Sequence, residues 1–129
     1  MDPIDSIKPK KDSTLAMMLA AQARGWHVSV FTQADLYIED GEVSVFVSDV
    51  TLFDDSDKWF DVLDRRTAKA TEFDCFLMRK DPPFDMEYLY ATYLLELIEN
   101  TGVPVLNRPA SIRDCNEKLF ALQFPQCTP

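Results

Sequence analysis

The sequence predicts an α/β fold: an open, mostly parallel sheet with flanking helices and one antiparallel hairpin. Three observations carry that expectation. Helix-period patterns at 13–24 and 86–100 alternate with short apolar runs at 26–31, 73–78 and 103–106, the rhythm of strand–helix–strand units. Asp40-Gly41 sits between two β-like segments and supplies the two positive-φ positions of a type I′ turn. The chain has 129 residues, 47% of them apolar. That suits one domain with a real core, since a chain of this size buries about two-thirds of its unfolded surface.

Taken in order, residues 13–24 (STLAMMLAAQAR) put Leu15, Met18 and Leu19 on one face of a helix. Asp12 or Ser13 is the expected N-cap and Gly25 the C-terminal stop. WHVSVF at 26–31 alternates at Trp26, Val28 and Val30, a strand with His27 partly exposed on its other face. The hairpin joins Leu36–Glu39 to Glu42–Ser48, with Val43, Val45 and Val47 on one side. DDSDKWFDVLDRR has helical spacing at Trp59, Phe60 and Leu63 with acids in front, and 49–72 as a whole is an excursion from the regular pattern.

Phe73–Met78 is a nearly continuous apolar run, as in a strand buried on both faces. In helix 86–100, Met86, Leu89, Tyr90, Tyr93, Leu94, Leu97 and Ile98 recur at i, i+3, i+4, i+7, and Asp85 is placed to cap it. Gly102 ends that helix and Val103–Leu106 is another buried strand. Ser111-Ile-Arg-Asp114 has the form of a capping box opening a last helix through about Leu122. The closing PQCTP reads as a linker, which divides the chain into a domain at 1–122 and linker residues 123–129. A doubly wound domain usually starts with a strand, whereas this chain starts on a loop and stops just after a helix. The expectation is a piece of a longer protein whose first strand is missing.

Composition excludes several functions. A net charge of −9 argues against nucleic acid or an anionic membrane as partner, because both reward a basic face. No apolar run approaches the roughly 20 residues of a membrane span, and MDPIDSIKPKKDS has no apolar signal region. Cys75, Cys115 and Cys127 have no metal-ligand or CxxC spacing and are expected as free thiols in a reducing cytosol. With three glycines, at Gly25, Gly41 and Gly102, neither a dinucleotide fingerprint nor a P-loop exists here.

Ligands of open parallel sheets bind beyond the carboxyl ends of the strands. Three polar strings fall at such places: MDPIDSIKPKKDS, MRKDPPFD after the 73–78 strand, and NRPASIRDCNEK after the 103–106 strand. Right-handed crossovers bring them to one sheet edge. Pro82 and Pro83 stiffen the middle string. Arg79 and Asp81 alternate onto one side of it, where a guanidinium can grip a carboxylate and an acid can receive an amine. A local Arg79–Asp81 ion pair that only orders the loop is the competing reading. Lys10, Lys11 and Asp12 precede the first helix, whose N-terminus favours an anion, although from the residues alone a solvated basic loop is the better reading of them. Lys118 reads from its spacing as a surface helix lysine.

Taken together, MDPI with KKDST, LMRKDPPFD, YATYLLE and VLNRPASIRDCNEKLFA closely resemble, block by block and in order, the N-terminal domain of bacterial glutathione synthetases. The resemblance implies a Rossmann-like, pre-ATP-grasp domain of a ligase that joins γ-glutamylcysteine to glycine with ATP and Mg²⁺ through an acyl phosphate. It implies a cytoplasmic enzyme, homo-oligomeric at full length. Carried over, Arg79 with Asp81 belongs to the peptide-binding edge, Lys11, Asp12 and Ser13 are weaker candidates there, and Lys118 reaches the nucleotide. Family members carry an apolar strand before MDPI, and their metal carboxylates and most ATP contacts lie in later domains. No catalytic or metal-ligating residue is therefore assigned here, and the chain alone is expected to be inactive. Two other classes stay open: a stand-alone amino-acid- or peptide-binding module, and an interaction domain working through the exposed acids of 54–66.

Overall fold

The computed structural model describes residues 1–116 and 118–127. Its described elements are helices α1 (Ser13–Ala23), α2 (Met86–Asn100) and α3 (Pro109–Asp114), and strands β1 (Ser29–Val30), β2 (Leu36–Glu39), β3 (Glu42–Leu52), β4 (Phe60–Lys69), β5 (Phe76–Leu77) and β6 (Val105–Leu106). The α/β mixture is as expected, but the sheet is not mostly parallel. A four-stranded antiparallel sheet is built on β3, which pairs with β1 and β2 along one edge and β4 along the other. Among the described residues only β5 and β6 run parallel, as a separate pair. The result is a mixed α/β fold with a mostly antiparallel open sheet, not a clear Rossmann arrangement.

The difference traces to 49–72. The helical spacing of Trp59, Phe60 and Leu63 is overridden, and the segment becomes β4, paired along nearly all of β3. Cross-strand ion pairs support it, Arg66 Nε to Asp49 Oδ2 at 3.0 Å and Lys69 with Glu42. Pairing steps from Asp49↔Asp64 to Val50↔Val62, so Leu63 is an extra residue, a bulge that leaves its side chain largely exposed. The hairpin forms as expected, with positive φ at Asp40 and Gly41.

Because β3 keeps its alternation past the bulge, its odd and even residues face opposite sides of the sheet. Val43, Val45 and Val47 bury against α2, Leu36, Phe76 and Val105 on one side. Val50 and Leu52 bury on the other, with Val30, Leu15 and, half-buried, Ile4, Trp59 and Phe60. The Gln22 side chain binds α1 to this second core: its Nε2 donates to Leu52 O at 2.9 Å and its Oε1 accepts from Leu52 N at 2.8 Å.

Several expected elements are shorter or turned. Of 26–31 only Ser29–Val30 pairs, antiparallel to β3, and both Trp26 and His27 are exposed. In the 73–78 run Phe76 and Met78 are buried but Leu77 faces outward, and of the 103–106 run Val105 is buried while Leu106 is exposed. Neither strand is buried on both faces. Helix α2 has the expected bounds and Asp85 cap, with Tyr88 N donating to Asp85 Oδ1 at 2.9 Å. Its buried face, however, is Tyr88, Ala91, Thr92, Leu95 and Ile98. Met86, Tyr90, Tyr93 and Leu97 are 62, 62, 45 and 46% exposed. Small residues at 91 and 92 admit close approach, so the sheet takes that face rather than the bulkier one.

The capping box at 111–114 does not open a helix. Helix α3 starts at Pro109, whose fixed φ suits a first helical position, and ends at Asp114. The Asn116 side-chain oxygen then accepts from Lys118 N and Leu119 N, turning the chain away from a continuous helix. Short 3₁₀ turns follow at Phe120–Gln123 and Pro125–Cys127. Of the expected linker, Thr128 and Pro129 lie outside the described residues. Cys75 and Cys115 are free thiols.

Candidate functional site

The parallel pair aims its strand ends at the string MRKDPPFD. Phe76 N donates to Pro104 O at 2.9 Å and Met78 N to Leu106 O, so the chain leaves the sheet only after Met78. Arg79 then reaches back across the molecule to the first turn of α1. Its Nη2 donates to Ser13 Oγ at 2.8 Å and its Nε to Thr14 Oγ1 at 3.2 Å. These are the two donors of one guanidinium edge, and the Nη1 end keeps its N–H groups for an incoming oxygen. The local Arg79–Asp81 ion pair does not form among the described residues.

Lys80 and Asp81 are held by the N-terminal segment. Lys80 Nζ lies 2.8 Å from Asp2 Oδ1 and also donates to Asp81 O at 2.7 Å. Asp2 Oδ2 accepts from Asp81 N at 2.9 Å. Partial burial raises the Asp2 pKa, but the hydrogen bonds from Lys80 and Asp81 N–H, with the Lys80 charge, outweigh it and hold the carboxyl below its ordinary range. Tyr88 OH donates to Lys80 O at 3.3 Å, and burial pushes its own pKa up. Phe84 packs on Tyr88, ring centroids 5.0 Å apart, which closes the loop onto α2.

The structure therefore brings Arg79 to Ser13, with Asp12 and Asp81 beside them in the chain. Asp12 is also the helix cap, Oδ1 accepting from Leu15 N at 2.8 Å. Lys11 ends the 3₁₀ turn Pro9–Lys11, is exposed, and lines a shallow depression with Lys10, Asp12, Ser13 and Asp54. Lys118 stands apart, exposed in the turn after α3 rather than on a helix. Asp2, Thr14 and Lys80 were not singled out from sequence. Asp2 lay inside the first polar string, Thr14 just past it and Lys80 inside the second, but a contact spanning 79 residues has no local signature. Among the described residues no three His, Cys, Asp or Glu side chains gather into a possible cation site. The donor set for Mg²⁺ is thus not supplied by these residues.

The sequence profile of the family described as "Prokaryotic glutathione synthetase, N-terminal domain" matches residues 1–113. A glutathione synthetase of Pseudomonas putida is 56% identical over 128 residues, 99% of this chain and 40% of the relative. Those of Pseudomonas syringae and Vibrio vulnificus are 54% and 49% identical over 129 residues, covering 40% and 41% of their lengths. The chain spans about 40% of the length of the curated relatives it matches.

Proposed function

Because the chain belongs to the prokaryotic glutathione synthetase N-terminal domain family, we propose that it is the substrate-binding front domain of an ATP-dependent ligase. In this reading the ligase joins γ-glutamylcysteine to glycine. ATP supplies the phosphoryl group that activates the cysteinyl carboxylate, and the glycine amine displaces phosphate. The observation that carries the reading is the convergence of Arg79 with the first turn of α1, inside a chain whose first 113 residues match the family.

The role of the domain's own residues follows from their donors. The outer Nη1/Nη2 end of Arg79 donates parallel hydrogen bonds to a peptide carboxylate, while Ser13 and Thr14 hold the guanidinium in place. The Asp81 carboxylate, beside it, takes the peptide ammonium. Lys11, Asp12 and Ser13 extend the same edge, and Lys118 contacts the nucleotide. No step is derived through Mg²⁺, for which the described residues do not form a donor set. The complete enzyme is a homo-oligomer of the cytoplasm.

Arg79→Ala in the full-length ligase tests the reading. Losing a charge-assisted hydrogen bond raises KM for γ-glutamylcysteine roughly ten- to a hundredfold, with KM for ATP unchanged. Because Arg79 also braces α1, thermal unfolding is measured alongside. Wild-type kinetics in a folded variant would remove Arg79 from the site.

A further inference from the structure

A cavity of about 260 Å³ lies against the even face of the antiparallel sheet, under the N-terminal segment and the β1–β2 connection. Phe46, Phe60 and Val62 form its apolar wall, and Arg65, Asp2, Asp5, Asp35 and the Met1 ammonium bring charge to it. Register explains the grouping: Val62 lies opposite Val50, Phe60 opposite Leu52 and Arg65 opposite Ser48, so all point to the side that carries Phe46.

The charges are what distinguish this cavity. Every other arginine among the described residues has a side-chain hydrogen bond or ion pair: Arg24 to Ala20 O, Arg66 to Asp49, Arg79 to Ser13, Arg108 to Glu99 and Arg113 to Glu96. The Arg65 guanidinium has neither among the described residues, although the chain carries 22 acids. The Asp5 carboxylate likewise has no partner among the described residues. Asp35 spends Oδ2 on Thr32 N and Thr32 Oγ1, both at 2.7 Å, and its charge, with that of Asp2, acts on the Met1 ammonium, which donates to Phe31 O at 2.9 Å. An unpaired cation, an unpaired acid and an apolar wall thus meet in one concavity.

We propose that this cavity binds a single α-amino acid with an apolar side chain. Arg65 takes the carboxylate in its planar fork. Asp5 takes the ammonium, and the side chain rests on Phe46, Phe60 and Val62. Charge and size both select this class. A domain of net charge −9 repels a simple anion, whereas a zwitterion is neutral. The volume falls below the roughly 300 Å³ at which drug-sized pockets begin, which suits one amino acid rather than a peptide. The cavity shares Asp2 with the brace of the Arg79 loop, but the residues that meet the ligand, Arg65, Asp5, Phe46, Phe60 and Val62, lie outside that loop and do not depend on the ligase reading.

The test is a titration of the isotope-labelled 129-residue chain with L-leucine, followed by amide chemical shifts. Expected are shifts confined to residues 30–35, 46–48 and 60–65, with affinity reduced about tenfold or more by Arg65→Gln and by Asp5→Asn. The same loss is expected for 4-methylpentanoate, which lacks the ammonium, and for 3-methylbutylamine, which lacks the carboxylate. Both substituted side chains are exposed, and each variant's own spectrum reports its fold. No shifts up to about 20 mM leucine, shifts centred elsewhere, undiminished binding in Arg65→Gln, or equal affinity for either analogue would overturn the proposal.

Discussion

At the scale of single residues, much of the structure hangs on carboxylates in mixed company. Asp2 is held by Lys80 and Asp81 N–H, and Asp49 by Ser29 Oγ and Arg66 Nε. In both, burial pushes the pKa up, but the hydrogen bonds and the adjacent cation prevail, and the folded pKa lies below the ordinary 3.8. The unfolded chain therefore binds protons first as pH falls. The stabilisation is complete above about pH 5 and is lost as pH drops through 3.8 and then through the folded values. Chemical denaturation at fixed pH values should show stability level from pH 7 to about 5 and falling below about 4. Asp2→Asn and Asp49→Asn should each reduce that fall, and an identical acid limb in both variants would discount these two carboxyls. Neither partner set was legible in the sequence. Asp2 meets Lys80 across most of the chain, and its place in a polar string near a strand end was the only available hint. Arg79, by contrast, was legible as a strand-end cation, because the end of an apolar run and the double proline after it are local signals.

At the scale of elements, local chemistry specified ends better than faces. Asp12, Asp85, the Asp40-Gly41 turn and the stops at Gly25 and Gly102 are where the sequence put them, since caps and turns depend on a few adjacent residues. The buried face of α2 was misread because the helix is apolar on more than one side, and only the neighbouring sheet chooses between them. That choice gives a direct contrast. Leu95 is 1% exposed, so Leu95→Ala should cost about 2–5 kcal/mol of stability. Leu97, 46% exposed on the unchosen face, should cost less than about 1 kcal/mol when changed to alanine. Urea titration of the two variants measures both, and equal losses would mean that α2 packs on its other face. Helix α3 is tied to α2 by Arg113, whose Nη2 lies 2.6 Å from Glu96 Oε2, whose Nη1 donates to Thr92 Oγ1 at 3.2 Å, and whose guanidinium sits 4.7 Å from the Tyr93 ring centroid. Arg113→Ala strands a half-buried Glu96 and removes the donor to the buried Thr92 hydroxyl, which keeps its own bond to Leu89 O. It should cost about 1.5–3 kcal/mol, read by the same titration; a loss within error would reduce the contact to surface pairing.

At the scale of the whole molecule, two apolar cores lie on opposite faces of one sheet, and β3 belongs to both. The sequence carried this arrangement in plain sight: valines fall on odd positions at 43, 45 and 47, then apolar residues on even positions at 50 and 52. That shift of parity marks a strand covered first on one side and then on the other. It was not legible without β4, whose bulge at Leu63 keeps the pairing in register while the burial changes sides. A strand of 11 residues shared this way makes separate melting of the cores costly. Opening either one frays backbone pairing that the other needs, so the chain should unfold as one unit. Trp59, whose Nε1 donates to Ile4 O at 2.9 Å, reports the α1 side by fluorescence, while far-ultraviolet circular dichroism is weighted towards α2, the longest helix. The two probes should give the same denaturation midpoint. Val47→Ala and Leu52→Ala, on opposite faces, should each lower that midpoint for both probes together. If Leu52→Ala moved only the fluorescence transition, the two faces would be separate folding units joined by a passive strand.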